Sequence, residues 1–110
     1  MPFELTSEAH DLLAWNISNE VVNGFRVEPF SERIGVSVDD FKSIALRLRS
    51  QTASSQLLLT DQETQIYCNA LGIVIEELGD DEFQTRTGHE YEYGLFLLQQ
   101  LSQSLPSNRS

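Results

Sequence analysis

Apolar residues recur at helical spacing along the first quarter of the chain. Ala9, Leu13, Ile17 and Val21 step by four, which predicts an amphipathic helix over about residues 7–23. Gly24 follows, and glycine readily adopts the left-handed conformation that ends a helix. We therefore expect the first helix to end at Gly24.

A second long helix is predicted from about Thr60 to Leu78. Thr60 and Glu63 have the spacing of a capping box, and Gly79 follows the last apolar residue. Its apolar positions cover almost the whole circumference: Ile66, Tyr67, Cys68, Ala70, Leu71, Ile73, Val74 and Ile75. Such a helix is typical of the centre of a domain.

The sequence pattern occurs twice. A Phe-x-x-Arg-x-Gly signature follows each long helix, and an amphipathic helix follows each signature, over about 37–50 and 89–105. The two signatures consist of Phe30, Arg33 and Gly35, and of Phe83, Arg86 and Gly88. Internal periodicity predicts that each copy is one supersecondary unit, which packs on the other.

The predicted fold class is therefore all-α: two tandem helix-turn-helix-like trihelical repeats, packed with pseudo-twofold symmetry into one compact domain. Repeat one covers residues 5–50 and repeat two covers 59–105, with a connector at 51–58 and a frayed tail at 106–110. A single domain over 1–110 suits the length, since a half of this size would be marginal alone.

Composition narrows the class of protein. The chain has a net charge of −10, a single cysteine, Cys68, and no apolar run long enough to cross a membrane. The N-terminus lacks the charge and apolar run of a signal peptide. These features predict a cytoplasmic protein that does not contact a membrane.

Acidic residues are concentrated in one short stretch of the second half, where the helix from Thr60 ends. Its members are Glu76, Glu77, Asp80, Asp81 and Glu82. A charge run of this kind is commonly a solvated helix end, but it can also attract a basic partner. Both interpretations remain open.

The segment from Phe30 to Leu46 resembles the helix-turn-helix of bacterial transcription factors, with a short helix, a glycine turn and an amphipathic helix. In such factors the second helix presents polar or cationic side chains to DNA. Here that helix begins with Asp39 and Asp40, which would face phosphates. The pattern thus favours a structural use of the motif and disfavours nucleic acid as a partner.

Arg33 and Arg86 precede the two turn glycines. Arginine has five donors in a rigid fork, which suits bracing of helix-end carbonyls or a carboxylate such as Glu20 or Glu77. The same donors suit ligand binding. Repetition in both copies favours the structural role, in which each arginine bonds within its own repeat, with Phe30 and Phe83 as the apolar anchors of the short helices.

The sequence gives little support for catalysis. His10 and His89 stand apart, with no second histidine or cysteine at metal-ligand spacing. There is also no glycine-rich phosphate loop. We expect no catalytic residue, no cofactor and no metal.

Trp15 lies about 200° around the first helix from Leu13, opposite the apolar ridge. Asn19 and Val22 share its face. Tryptophan on a polar face is common in protein interfaces, but the N-terminal residues or the last helix could equally cover it.

We expect a small acidic protein-binding module or regulator, with a homodimer left open. The interface candidates are Trp15, Asn19 and Val22, together with the acidic stretch Glu76, Glu77, Asp80, Asp81 and Glu82. One alternative is an acidic inhibitor or immunity-type protein that blocks a basic partner such as a nuclease toxin. A second is a degenerate helix-turn-helix transcription factor.

Overall fold

The computed structural model describes residues 3–24, 26–51 and 57–105, which are mostly helical. A short strand, β1 (Phe3–Glu4), precedes helix α1, which covers residues 7–24. Helices α2 (Phe30–Ile34) and α3 (Val38–Ser50) complete the first half. Strand β2 (Leu58–Leu59) leads into α4 (Asp61–Thr87) and α5 (Tyr91–Ser104). Residues 52–56 of the predicted connector and the predicted tail at 106–110 lie outside the described residues.

The predicted helix starts are confirmed by their caps. Thr60 and Glu63 form both hydrogen bonds of a capping box. Ser37 accepts a hydrogen bond from the Asp40 amide at 3.2 Å. At Gly79 (φ 69°) α4 leaves helical geometry, so its first part ends where the sequence predicts.

Helix α1 departs from the prediction in its internal geometry. It begins as an α-helix over Ser7–His10 and continues in two π-helical stretches, Asp11–Ile17 and Glu20–Gly24. The prediction of a left-handed Gly24 is wrong, because among the described residues only Gly35, Gly79 and Gly88 have positive φ. Gly24 is instead needed for space, since a Cβ there would collide with the Glu20 carboxylate.

The purely helical prediction also missed a strand pair. Phe3–Glu4 pairs antiparallel with Leu58–Leu59. The sequence pattern, in contrast, places Leu58 in the connector. Two residues are too short for an alternating pattern to be visible. The pair ties the chain start to the residues before α4.

Helix α4 forms the centre of the domain, as its all-round apolar pattern predicts. It packs against α5, α1 and α2. Leu71 is fully buried and Ile75 is 8% exposed, as expected of core positions. None of the helices in the described part of the chain is both long and apolar enough to cross a membrane.

Each half has a long helix, a short helical segment, a left-handed glycine and a final helix. Gly35 and Gly88 both cap the short segments with φ of 111° and 76°. The two halves also differ, because the second signature lies within α4, which is interrupted only at Gly79. The pseudo-twofold superposition of the two halves stays a prediction.

Candidate protein-binding groove

The π-helical geometry of α1 determines which side chains it presents at the surface. Its wider turn is seen at Ser18, whose amide and hydroxyl both donate to the Leu13 carbonyl, the hydroxyl at 2.8 Å. π-Helical turns are rare and are often found at functional sites. This stretch contains Trp15, which is 50% exposed.

The side of Trp15 that is covered packs against α3. The Arg49 guanidinium carbon lies 4.9 Å from the indole centroid, in a cation–π contact. Arg49 also donates from Nε to the Ala14 carbonyl at 2.6 Å. The N-terminal residues and the last helix were the two segments expected to cover Trp15. Phe3 and α5 instead line another part of the surface, while Met1 and Pro2 lie outside the described residues.

A groove of about 230 Å³ lies between α1 and α3, next to Trp15. Its lining is Ser18, Asn19, Val22, Asn23, Lys42, Ala45, Leu46 and Arg49. The groove is therefore lined mainly by apolar and amide side chains, together with two cations. We refer to these eight residues as the α1–α3 groove.

Leu46 is the most exposed large apolar side chain of the described residues, at 65%. It lies off the buried face of α3, which carries Phe41, Ala45 and Leu48. Sequence reasoning missed it because it recorded only the apolar residues that fit the ridge. The signal that could have identified Leu46 as exposed is its position, one residue away from that ridge.

The groove is anchored to the core through Ser18. The Ser18 and Tyr67 hydroxyls are 2.7 Å apart, and both residues are buried. Burial raises the pKa of Tyr67 to about 12, although the Ser18 bond and the charges of Arg49 and Arg47 act in the opposite direction. The neutral phenol thus holds the α1 turn on α4.

The acidic stretch forms a separate surface around the break in α4. Its five carboxylates are all exposed, and no residue of the described ranges makes an ion pair with them. None of the five lines the α1–α3 groove. The structure therefore does not bring the two groups of predicted interface residues together.

The two signature arginines have different surroundings. Arg86 lies 2.8 Å from the buried Glu20 carboxylate and donates to the Gly24 carbonyl at 3.2 Å. The prediction that each arginine bonds within its own repeat is wrong for Arg86, because Glu20 and Gly24 belong to the first half. Arg33 is half-buried beside Cys68 and Asn69, and no described residue accepts from its guanidinium.

The two histidines make structural contacts. His89 Nε2 lies 2.9 Å from Asp11 Oδ2, and its Nδ1 lies 3.5 Å from Glu8. His10 contacts the Leu48 carbonyl at 2.7 Å. Within the described ranges, no group of three or more His, Cys, Asp or Glu side chains is arranged to hold a metal ion.

Comparison with protein-family models, with curated proteins and with solved structures finds no match to this chain. The function must be argued from the geometry of the groove and of the acidic surface.

Proposed function

We propose that the chain is a non-enzymatic protein-binding module and that the α1–α3 groove is its docking surface. The observation that carries this proposal is the exposure of Leu46 and Trp15, 65% and 50%, beside a concave surface. A few side chains supply most of the binding energy in protein interfaces and tryptophan is enriched among them, while burial of an exposed leucine adds the free energy of removing apolar area from water. Surrounding amides such as Asn19 and Asn23 would form a polar rim.

The dimensions and chemistry of the groove support a protein partner. Its volume of about 230 Å³ is smaller than the roughly 300–1,000 Å³ of typical small-molecule sites. The lining has no carboxylate, imidazole or thiol, and its one hydroxyl, that of the buried Ser18, already donates to the Leu13 carbonyl. A partner side chain, rather than a substrate, is the occupant that this geometry favours.

The helix-turn-helix interpretation receives less support. Of the three cations on α3, Arg47 pairs with Glu63 and Arg49 packs on Trp15. Asp39 and Asp40 occupy the first turn of the helix that would enter the groove of DNA. Phosphate binding by this helix would have to overcome both features.

The acidic surface supports a second candidate function, that of an inhibitor of a basic protein. Five exposed carboxylates without ion pairs among the described residues make a strongly negative patch around Gly79. Such a patch would accelerate association with a basic partner and would lose this effect as the salt concentration rises.

Binding by variants would separate the two candidates. Partners captured from the source cell would be purified and their affinities measured for the parent chain and for Leu46→Asp. Leu95→Asp on α5, at a leucine 41% exposed, is the matched control. We expect Leu46→Asp to weaken binding by at least about tenfold, or about 1.4 kcal/mol, and Leu95→Asp to have little effect.

A further variant tests the acidic surface in the same assay. It combines Glu76→Gln, Glu77→Gln, Asp80→Asn and Asp81→Asn. If this variant loses binding while Leu46→Asp retains it, the groove proposal is wrong and the inhibitor function gains support. Emission of Trp15, the single tryptophan, should also shift to shorter wavelength when the partner binds beside it.

A further inference from the structure

We infer that the occupant of the α1–α3 groove is an acidic peptide segment with an apolar anchor side chain. This inference rests on the proposed function, since it specifies the chemistry of the partner at the same groove. It also differs from the sequence-based expectation of a basic partner.

Charge is segregated on this protein. The chain has 17 acidic residues and 7 lysines and arginines, yet the groove lining has two cations and no acidic residue. Lys42 and Arg49 are those cations. A partner with carboxylates would meet a local positive surface on a protein that is negative overall, so the charges select both the partner and its orientation.

The two groove cations also keep hydrogen-bond donors for a ligand. Arg49 uses Nε for the Ala14 carbonyl, and no described residue accepts from its two terminal nitrogens. The guanidinium is held in place by the Trp15 ring. A guanidinium fixed in this way can bind a carboxylate through two parallel hydrogen bonds.

Lys42 differs from Arg47, the third cation of α3, in its ion pairing. It is exposed and makes no ion pair with a described residue, whereas Arg47 pairs with Glu63. The positive charges of α3 are therefore divided between one used for folding and two directed to the groove.

The apolar part of the groove favours a peptide with a large apolar side chain, which would serve as its anchor. Leu46, Val22 and Ala45 are the apolar residues of the lining, which also includes the two cations and the Asn19–Asn23 amide pair, whose side chains bond at 3.0 Å. The volume of about 230 Å³ suits insertion of side chains from a peptide. Burial of one large apolar side chain contributes about 1.5–3 kcal/mol.

Two other occupants fit less well. A second copy placed groove to groove across a twofold axis would bring Lys42 and Arg49 towards the same cations of its partner. A nucleic acid would meet the apolar Leu46 surface as well as Asp39 and Asp40 at the start of α3.

The experiment is a selection of random peptides against the full-length chain. We expect peptides rich in Asp and Glu around a Leu, Phe, Trp or Met. Their binding, followed with tryptophan-free peptides through Trp15 emission, should weaken as salt is raised. Lys42→Gln should reduce affinity about two- to fivefold, the effect of a solvent-exposed ion pair. Gln99→Glu on α5 makes the same change in net charge away from the groove and should leave affinity nearly unchanged.

The outcomes distinguish the two proposals. If selected peptides lose binding with Leu46→Asp but carry no acidic bias and ignore Lys42→Gln, the groove binds peptides and the inference about acidic partners is overturned. If no peptide is enriched, or if enriched peptides ignore Leu46→Asp, the proposed docking surface itself fails. Peptides rich in Lys and Arg, chain dimerisation abolished by Leu46→Asp, or binding of a single-stranded oligonucleotide lost with Lys42→Gln would each overturn the acidic-peptide inference.

Discussion

The two Phe-x-x-Arg-x-Gly segments have the same sequence pattern and the same local ending, but different tertiary roles. Gly35 and Gly88 both end a helical turn in the left-handed conformation, and each donates its amide to the carbonyl four residues before it. The phenylalanines differ, because Phe30 is half-buried and Phe83 is fully buried. Local conformation thus follows from the pattern, while burial depends on what lies opposite.

The reason for the deeper burial of Phe83 lies in the following helix. With the offset that aligns Phe30 with Phe83, Phe41 of α3 corresponds to Gly94 of α5. Phe41 is fully buried and packs edge-on against Phe30, with ring centroids 5.8 Å apart. At Gly94 there is no side chain, and the Phe83 ring occupies this space. In the first half the Phe41 ring packs beside the signature phenylalanine, whereas in the second half the Phe83 ring lies over a glycine.

The arginines show the same divergence. Arg86 joins the second half to the first through Glu20 and Gly24, while Arg33 has no described acceptor. A Cβ at residue 24 would displace the Glu20 carboxylate and the Arg86 guanidinium from their present positions. Among the described residues, the signature arginine therefore hydrogen-bonds across to the other half in the second copy only.

The largest expected effect distinguishes the phenylalanines. Phe83→Ala should reduce the free energy of unfolding by about 3–5 kcal/mol, the usual cost of emptying a buried aromatic position. Phe30→Ala should cost less, because part of its ring is already in water. Urea denaturation measures both values, and equal losses would show that the two halves are packed equivalently.

The arginines should differ next. Arg86→Met leaves the Glu20 carboxylate buried without its partner, which in a fully buried pair costs about 3–5 kcal/mol. We expect about 2–3 kcal/mol, below the range for a fully buried pair, because the Arg86 side chain is 35% exposed and the 2.8 Å ion pair lacks hydrogen-bond alignment. Arg33→Met should change little.

A double substitution checks the cause of that difference. Adding Glu20→Gln to Arg86→Met removes the unpaired charge and should recover part of the lost stability in thermal or urea unfolding. No recovery would mean that Arg86 stabilises the protein through its packing and the Gly24 carbonyl instead.

Substitution of Gly94 tests whether the Phe83 ring fills the space that a side chain at this position would occupy. A Cβ at Gly94 would lie 2.7 Å from Phe83 Cζ, so Gly94→Ala overpacks the core. Overpacking costs about 1–3 kcal/mol, offset by up to about 1 kcal/mol of helix propensity, so we expect a net loss of about 1–2 kcal/mol.

Gly72→Ala in α4 is the matched control for Gly94. There a Cβ meets only Leu98 Cδ1 at 3.9 Å, an ordinary contact. This variant should gain about 0.5–1 kcal/mol from helix propensity. A stabilised Gly94→Ala would contradict the proposed role of Phe83 in filling this space.

The smallest expected difference is between the turn glycines. Gly35→Ala and Gly88→Ala should each cost about 1 kcal/mol, because a Cβ is strained in the left-handed region. Neither Cβ would meet a close neighbour, since the nearest atom to Gly35 is 3.8 Å away and none lies within 4 Å of Gly88. Similar melting-temperature shifts would confirm that this part of the pattern is equivalent in both halves.

Sequence reasoning recovered less of the candidate groove than of the fold. It selected Trp15, Asn19 and Val22 from the helical period, and Asn19 and Val22 do line the groove while Trp15 lies beside it. It did not select Lys42 or Arg49, which also line the groove. The approach of α3 to α1 was not predictable from spacing, since Arg49 and Ala14 are 35 positions apart.

The sequence by itself determined the local features of this protein: the helix starts at Ser37 and Thr60, the turn glycines at 35 and 88, and α4 as the central helix. These features depend on neighbouring residues and on periodic burial, which a linear pattern records. The tertiary structure alone decided the π-helical form of α1, the β1–β2 pair, the Arg86–Glu20 contact and the charge of the groove. Each of these depends on residues far apart in the chain, and which of them meet is settled only when the helices pack.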